Sequence, residues 1–225
     1  MQCVILAAGL GKRMLPLTEV KPKPLLEVCG KPLLHHIIES LPSAVDEVIL
    51  VVGYKGEMIR EYFGTSFLGR TITYLEQTEQ TGTAHALWLA KDLIKGRFLF
   101  LFADDIHGST DLMRAISYTR SLLVSPVPNP ERFGIIVRTP EGTLSEMIEK
   151  PTNAPSNYAS SGAMVLDEHI FEFSPESPLN GEYYLTEVIQ RYAKKYPIAV
   201  VEQEMWIPVG YPEDLEKAAK ILGCK

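Results

Sequence analysis

A chain of 225 residues with 46% apolar and 22% charged side chains is long enough to bury a core of its own and needs no covalent staples. Its formal net charge of −6 excludes general affinity for nucleic acid. No apolar run approaches the roughly 20 residues that span a bilayer, and the first one, residues 1–8, is short and lacks a basic segment before it, so no signal peptide is expected. In chain order, the apolar run at 4–7 predicts a buried strand. Residues 8–24 form a loop rich in Gly, Pro and basic side chains. Helical spacing follows at 32–41, with Pro32 at a first-turn position. A second buried strand is predicted at 45–52, a short helix at 57–63, an alternating strand at 71–75 and a helix at 83–94. A fully apolar strand at 98–102 runs into Ala103, Asp104 and Asp105. Strands alternating with helices predict an α/β fold with a mostly parallel, doubly wound sheet.

The second half changes character. Strands at 133–138, 144–149 and 163–166 have no long helices between them, which predicts a mixed or antiparallel extension of the same sheet. A helix at 184–195, a strand at 198–201 and a closing helix at 212–222 follow. No repeat, low-complexity stretch or linker interrupts the chain, so one domain with two lobes is expected, dividing near residue 125. Cys3, Cys29 and Cys224 are far apart, and no pair has metal-ligand spacing. An odd count argues against a disulfide framework, which predicts a reducing, cytoplasmic setting, with Cys3 a small core residue.

Lys12, Arg13, Lys21 and Lys23 crowd one early loop of an acidic protein, which suits a small anionic ligand. The string Leu6, Ala7, Ala8, Gly9, Leu10, Gly11, Lys12, Arg13, Met14 takes a strand into a Gly loop. Glycines let backbone N–H groups turn toward a phosphate, and the basic side chains neutralise it. The string is not a dinucleotide fingerprint, which needs Gly where Met14 stands. Nor is it a P-loop, which needs Gly at Leu6 and Ser or Thr at Arg13. Asp104 follows an apolar strand at the edge where open α/β sheets bind ligands, and a carboxylate there suits Mg2+. Asp105 is expected to point elsewhere. His35, His36, His85 and His107 have no metal spacing among themselves, and His35 and His36, on a helix with mixed faces, are read as packing residues.

These segments together resemble the sugar-phosphate nucleotidyltransferase family, the enzymes that make nucleotide sugars. The likeness rests on the Gly loop and Lys21-Pro22-Lys23-Pro24, on Gln77, Gln80, Gly82 and Thr83, on Asp104, on Phe133-Gly134 and Glu149-Lys150-Pro151, on the segment 181–187, and on Trp206-Ile207-Pro208-Val209-Gly210. It implies a Rossmann-like fold and transfer of a nucleotidyl group from a nucleoside triphosphate, UTP or dTTP foremost, to a sugar 1-phosphate. By this resemblance Leu6, Ala7, Ala8, Gly9, Gly11, Gln77, Gly82 and Thr83 bind the nucleotide, with Gly82 letting the base approach the backbone. Gly134, Glu149 and Ser160 contact the sugar. Arg13, Lys23 and Lys150 hold the phosphates, and Asp104 binds Mg2+. Neither nucleic acid nor membrane is an implied partner, and a homo-oligomer is compatible with it. Two other readings remain open: a cytidylyltransferase for a non-sugar phosphate such as phosphocholine, and a catalytically weak nucleotide-sensing subunit.

Two positions depart from the family pattern. Ser160-Ser161-Gly162 stands where an Asn is usual before the Gly, and Pro208 stands where many members carry a second metal-binding Asp. Proline cannot ligate through its side chain, so either Asp104 serves alone or another acid such as Glu204 completes the site. No hexapeptide-repeat domain, and so no second acetyltransferase activity, is expected from these residues.

Overall fold

The computed structural model describes residues 1–176 and 181–224. Strand β1 (Gln2–Ala7) is apolar from Cys3 onward and buried there on both faces. The small antiparallel hairpin β2 (Glu27–Val28) and β3 (Lys31–Pro32) leads into helix α1 (Leu33–Glu39). Then come β4 (Glu47–Val52), α2 (Gly56–Phe63), β5 (Ser66–Phe67), β6 (Arg70–Glu76), α3 (Thr83–Trp88) and β7 (Arg97–Phe102). β1 lies between β4 and β7, parallel to both, and β6 extends the parallel set beyond β4. Unbroken apolar runs such as Val48–Val52 are what a parallel sheet covered on both faces requires.

Past β7 the chain forms β8 (Asp105–His107), α4 (Ser109–Ile116), β9 (Ser121–Pro126), β10 (Gly134–Arg138), β11 (Leu144–Glu149) and β12 (Tyr158–Asp167). α5 (Leu185–Lys195), β13 (Ala199–Glu202), β14 (Trp206–Pro208) and α6 (Pro212–Ile221) follow. β12 runs antiparallel to β7 and joins the two halves into one ten-stranded sheet, ordered β11-β10-β12-β7-β1-β4-β6-β5, with β9 branching from β12 and β13 pairing with β9. The expected doubly wound sheet with a mixed extension is therefore present. The helix expected over 83–94 is regular only to Trp88 and then unwinds into turns.

Two apolar layers cover the sheet. Ile5 and Leu50 point into one, with Ile37 and Ala218 from the helices; Val4 and Ile49 point into the other, with Leu87 and Ile189. Neighbouring strand residues fall into opposite layers, as the pleat dictates. β12 carries a bulge at residues 160–164, where it stays paired with β9 while passing from β10 to β7. Gly162 sits in that bulge at φ +79°, and a Cβ there would lie 2.4 Å from the Phe102 ring, so only glycine lets β12 lie so close to the end of β7.

The cysteines correct the sequence reading. Cys29, in the turn of the β2–β3 hairpin, is disulfide-bonded to Cys224 beyond α6, across 195 residues. The argument from an odd count to a reducing compartment falls with it. Cys3 is the free one, fully buried as expected, and burial raises its thiol pKa. No described helix is long and apolar enough to cross a membrane.

Candidate active site

The parallel strands β1, β4, β6 and β7 end together, and a cleft of about 310 Å³ opens at their carboxyl edge. Its floor is Leu6, Ala7 and Ala8 from the end of β1, with Phe102, Ala103 and Asp104 from the end of β7. Ala103 N–H donates to the Leu6 carbonyl (3.1 Å), which locks the two ends together. Gly9, Gly11, Lys12, Arg13 and Lys23 form one wall, and Gln77, Gln80, Gly82, Thr83 and Glu182 the other. All eight residues expected to bind nucleotide, together with Arg13, Lys23 and Asp104, thus meet in one cleft.

On the basic wall, Lys23 is almost buried, and its Nζ lies 2.7 Å from Asp104 Oδ2. The ion pair fixes a cation and a carboxylate side by side at the mouth of β7. Asp105, expected to point elsewhere, does not line the cleft. Its Oδ1 accepts from Trp206 Nε1 (2.9 Å), and desolvation, then the Asp104 charge beside it, holds its carboxyl well above the usual carboxylate range. The closing segment is tied to the same edge: Val209 N–H donates to the Asp104 carbonyl (3.0 Å), and β14 pairs antiparallel with β8, setting Pro208 opposite Asp105. Glu204 does not replace the missing ligand. It is exposed, 3.5 Å from Arg114, and outside the cleft lining. Among the described residues no cluster of three acidic, His or Cys side chains could form a metal cage. One carboxylate in the cleft lining still fits Mg2+, which takes one or two carboxylates and fills its shell with phosphate oxygens and water.

On the opposite wall, the nitrogen of the buried Gln77 amide donates to the Gly82 carbonyl (3.0 Å) and lies 3.5 Å from His85 Nδ1. A carbonyl only accepts, so this bond decides which end of the amide is nitrogen. The Gln77 oxygen is left to accept from a ligand. Gln80 donates to the Ala8 carbonyl (3.0 Å) and ties this wall to the floor. Gly82 lines the cleft at φ +104°, where a Cβ would lie 2.4 Å from the Tyr183 carbonyl oxygen, so the glycine is also what admits the backbone at Tyr183. Thr83 lines the cleft while its hydroxyl accepts from Leu185 N–H (3.0 Å) at the start of α5.

The expected sugar contacts lie apart from this lining. Gly134 and Glu149 face each other across β10 and β11, Ser160 sits in β12 at the bulge, and Lys150 is exposed beyond β11, its Nζ 3.4 Å from Glu149. Tyr184, two residues past the cleft-lining Glu182, has a phenol pKa raised by desolvation and then by Glu182 and Glu149. Sequence reasoning left Glu182, Lys12 and Gly210 out of the site, although each stands inside a motif it had picked out.

The sequence profile of a family described as "Nucleotidyl transferase" matches residues 2–223. Among curated proteins, the chain is 38% identical to the bifunctional protein GlmU of Methanocaldococcus jannaschii, over 99% of this chain and 54% of that protein. It is 36% identical to the UTP–glucose-1-phosphate uridylyltransferase AglF of Haloferax volcanii, over 99% and 96% respectively. The chain thus spans about half the length of the GlmU relatives it matches. Among solved structures, a putative glucose-1-phosphate thymidylyltransferase from Bacillus anthracis superposes with a TM-score of 0.89 at 26% identity, over 98% of this chain and 94% of the other. A UDP-glucose pyrophosphorylase complexed with UDP-glucose gives 0.85 at 25%, over 98% and 97%. A profile match along nearly the whole chain, with the Gly loop, Arg13, Lys23 and Asp104 converging on one cleft, makes this chain a member of the nucleotidyl transferase family.

Proposed function

We propose that the protein transfers a nucleotidyl group from UTP or dTTP to a sugar 1-phosphate and releases pyrophosphate. The observation that carries this reading is the convergence of the Gly loop, Arg13, Lys23 and Asp104 opposite Gln77 in one cleft. The relatives' names, a uridylyltransferase and a thymidylyltransferase for glucose 1-phosphate, agree with it.

The chemistry is an in-line displacement. A sugar-phosphate oxygen bonds to the α-phosphorus, and the bond from that phosphorus to the pyrophosphate oxygen breaks. Such a reaction needs positioning and charge neutralisation more than covalent help. Arg13, a planar fork in the Gly loop, grips the leaving pyrophosphate. Lys23, held against Asp104, meets the α-phosphate as a compact charge. Lys150 steadies the sugar phosphate, while Gly134, Glu149 and Ser160 receive the sugar. Asp104 would hold Mg2+, which offsets the charge of the phosphate oxygens. The Gln77 oxygen accepts from the N3–H of uracil or thymine. Cytosine presents an acceptor at N3, which supports uridine and thymidine over cytidine.

Four nucleoside triphosphates assayed against a panel of sugar 1-phosphates test the proposal. UTP or dTTP should release pyrophosphate with at least one sugar 1-phosphate, and Arg13→Ala should fold normally yet lose about 100-fold in turnover. Absence of pyrophosphate with every pair, or wild-type turnover by Arg13→Ala, would overturn it.

A further inference from the structure

Arg13 has company at its end of the cleft. Tyr211, next to the cleft-lining Gly210, has two guanidiniums against its ring. Arg13 is 5.4 Å from the ring centre, and Arg132, from the turn Pro130–Arg132 before β10, is 5.7 Å away. The arginines come from opposite halves of the chain, and Tyr211 is where they meet. The tyrosine is itself fixed: its N–H and that of Gly210 both donate to Asp214 Oδ2, at 2.9 and 3.0 Å.

The salt bridges among the described residues include neither Arg13 nor Arg132. Ion pairs take up Lys23, Arg114, Arg120 and Arg191. Two unneutralised like charges on one ring repel each other, and the ring's attraction for a cation offsets only part of that. An anion between them reverses the sign. The phenol responds to both: hydrogen bonding from Arg13 and then Arg132 pulls the Tyr211 pKa below its ordinary value.

We propose that Arg132 is a second guanidinium for the leaving pyrophosphate, placed beside the Arg13 grip by the Tyr211 ring. Tyr211 is a positioning residue that sets the two forks. Resting on the nucleotidyl-transfer reading, the inference selects pyrophosphate over the sugar phosphate because Arg132 shares its ring with Arg13, the cleft-lining cation assigned to pyrophosphate. Pyrophosphate also carries more charge than a phosphate monoester, as two guanidiniums require.

Calorimetric titration of the whole protein with inorganic pyrophosphate and Mg2+, alongside steady-state kinetics, tests this. Arg132→Gln should weaken pyrophosphate binding about tenfold and relieve product inhibition to match, with KM for the sugar 1-phosphate changed less than about twofold. Tyr211→Ala should weaken pyrophosphate binding as well, and Arg132→Lys should restore part of it. Wild-type pyrophosphate affinity in Arg132→Gln, or a defect confined to the KM of the sugar 1-phosphate, would overturn the inference. A wild-type protein that binds pyrophosphate through Arg132 yet makes no nucleotide sugar would instead overturn the function reading and leave the anion site standing.

Discussion

His107 carries a cost that depends on pH. It is 1% exposed at the end of β8, its Nδ1 lies 3.0 Å from Gln203 Oε1, and its buried Nε2 has no partner. Burial lowers its pKa from 6.5 to about 4, against a smaller upward pull from Gln203. Because the folded value lies below the unfolded one, the neutral ring's contribution to stability is complete above about pH 6.5. It drains away as the pH falls toward 4. A shift of that size corresponds to about 3 kcal/mol. Urea unfolding at pH 7.5 and pH 4.5 should show that loss in the wild type beyond what His107→Gln shows, since the variant keeps an amide donor toward Gln203 but cannot titrate. Parallel pH profiles for the two proteins would remove His107 from the account. Single residues were legible in the sequence where one short segment carried both the geometry and the chemistry: Arg13 in a Gly loop, Asp104 at a strand end, Gln77 before a helix. Glu182 was harder, because its place in the cleft depends on the 181–184 backbone crossing Gly82, a contact between segments a hundred residues apart.

The strand pair β8–β14, which brings the closing segment to Asp104, is held from behind by one carboxylate. Asp111 in α4 is buried and accepts from the N–H groups of Glu204 (3.0 Å) and Met205 (2.9 Å), while Arg114 lies 2.6 Å from its Oδ1. Asp111→Ala leaves two backbone donors without their acceptor and takes the carboxylate from Arg114, which keeps the Glu202 carbonyl (2.7 Å). The expected loss is about 2–4 kcal/mol, read as a lower urea midpoint with an unchanged slope. A loss within about 0.5 kcal/mol, the range of ordinary surface changes, would mean that residues 204–205 hold their place without it. These elements escaped the sequence for physical reasons. β8 and β14 are three residues each, too short to show a period. β9 is an apolar run, but its partners β12 and β13 lie far along the chain. The parallel strands β1, β4 and β7 were plain because burial on both faces makes each apolar after its first residue.

At the scale of the molecule, the Cys29–Cys224 bond clamps the segment after α6 to the β2–β3 hairpin and closes most of the chain into one loop. Its stabilisation acts chiefly on the unfolded chain, whose freedom falls with the length of the loop, and natural disulfides of this kind contribute between about 2 and 5 kcal/mol. For a chain of this size that is roughly 5–15 °C in Tm. The folded site has little need of the clamp. Ala218 of α6 is fully buried, and the cleft end of the helix is fixed by Asp214 and by the Val209–Asp104 backbone bond. Reduction should therefore lower Tm by that amount and leave turnover at 25 °C within about twofold of the oxidised protein. Cys3 will not confuse the reading, because a buried thiol with a raised pKa does not exchange. Thermal unfolding with and without dithiothreitol, in the wild type and in Cys224→Ser, measures the effect: the difference should vanish in the variant. Identical melting of oxidised and reduced wild type would mean that α6 and the hairpin are held by packing alone. A Tm loss joined to a loss of turnover would mean that the clamp reaches through α6 to Tyr211 and the phosphate end of the cleft.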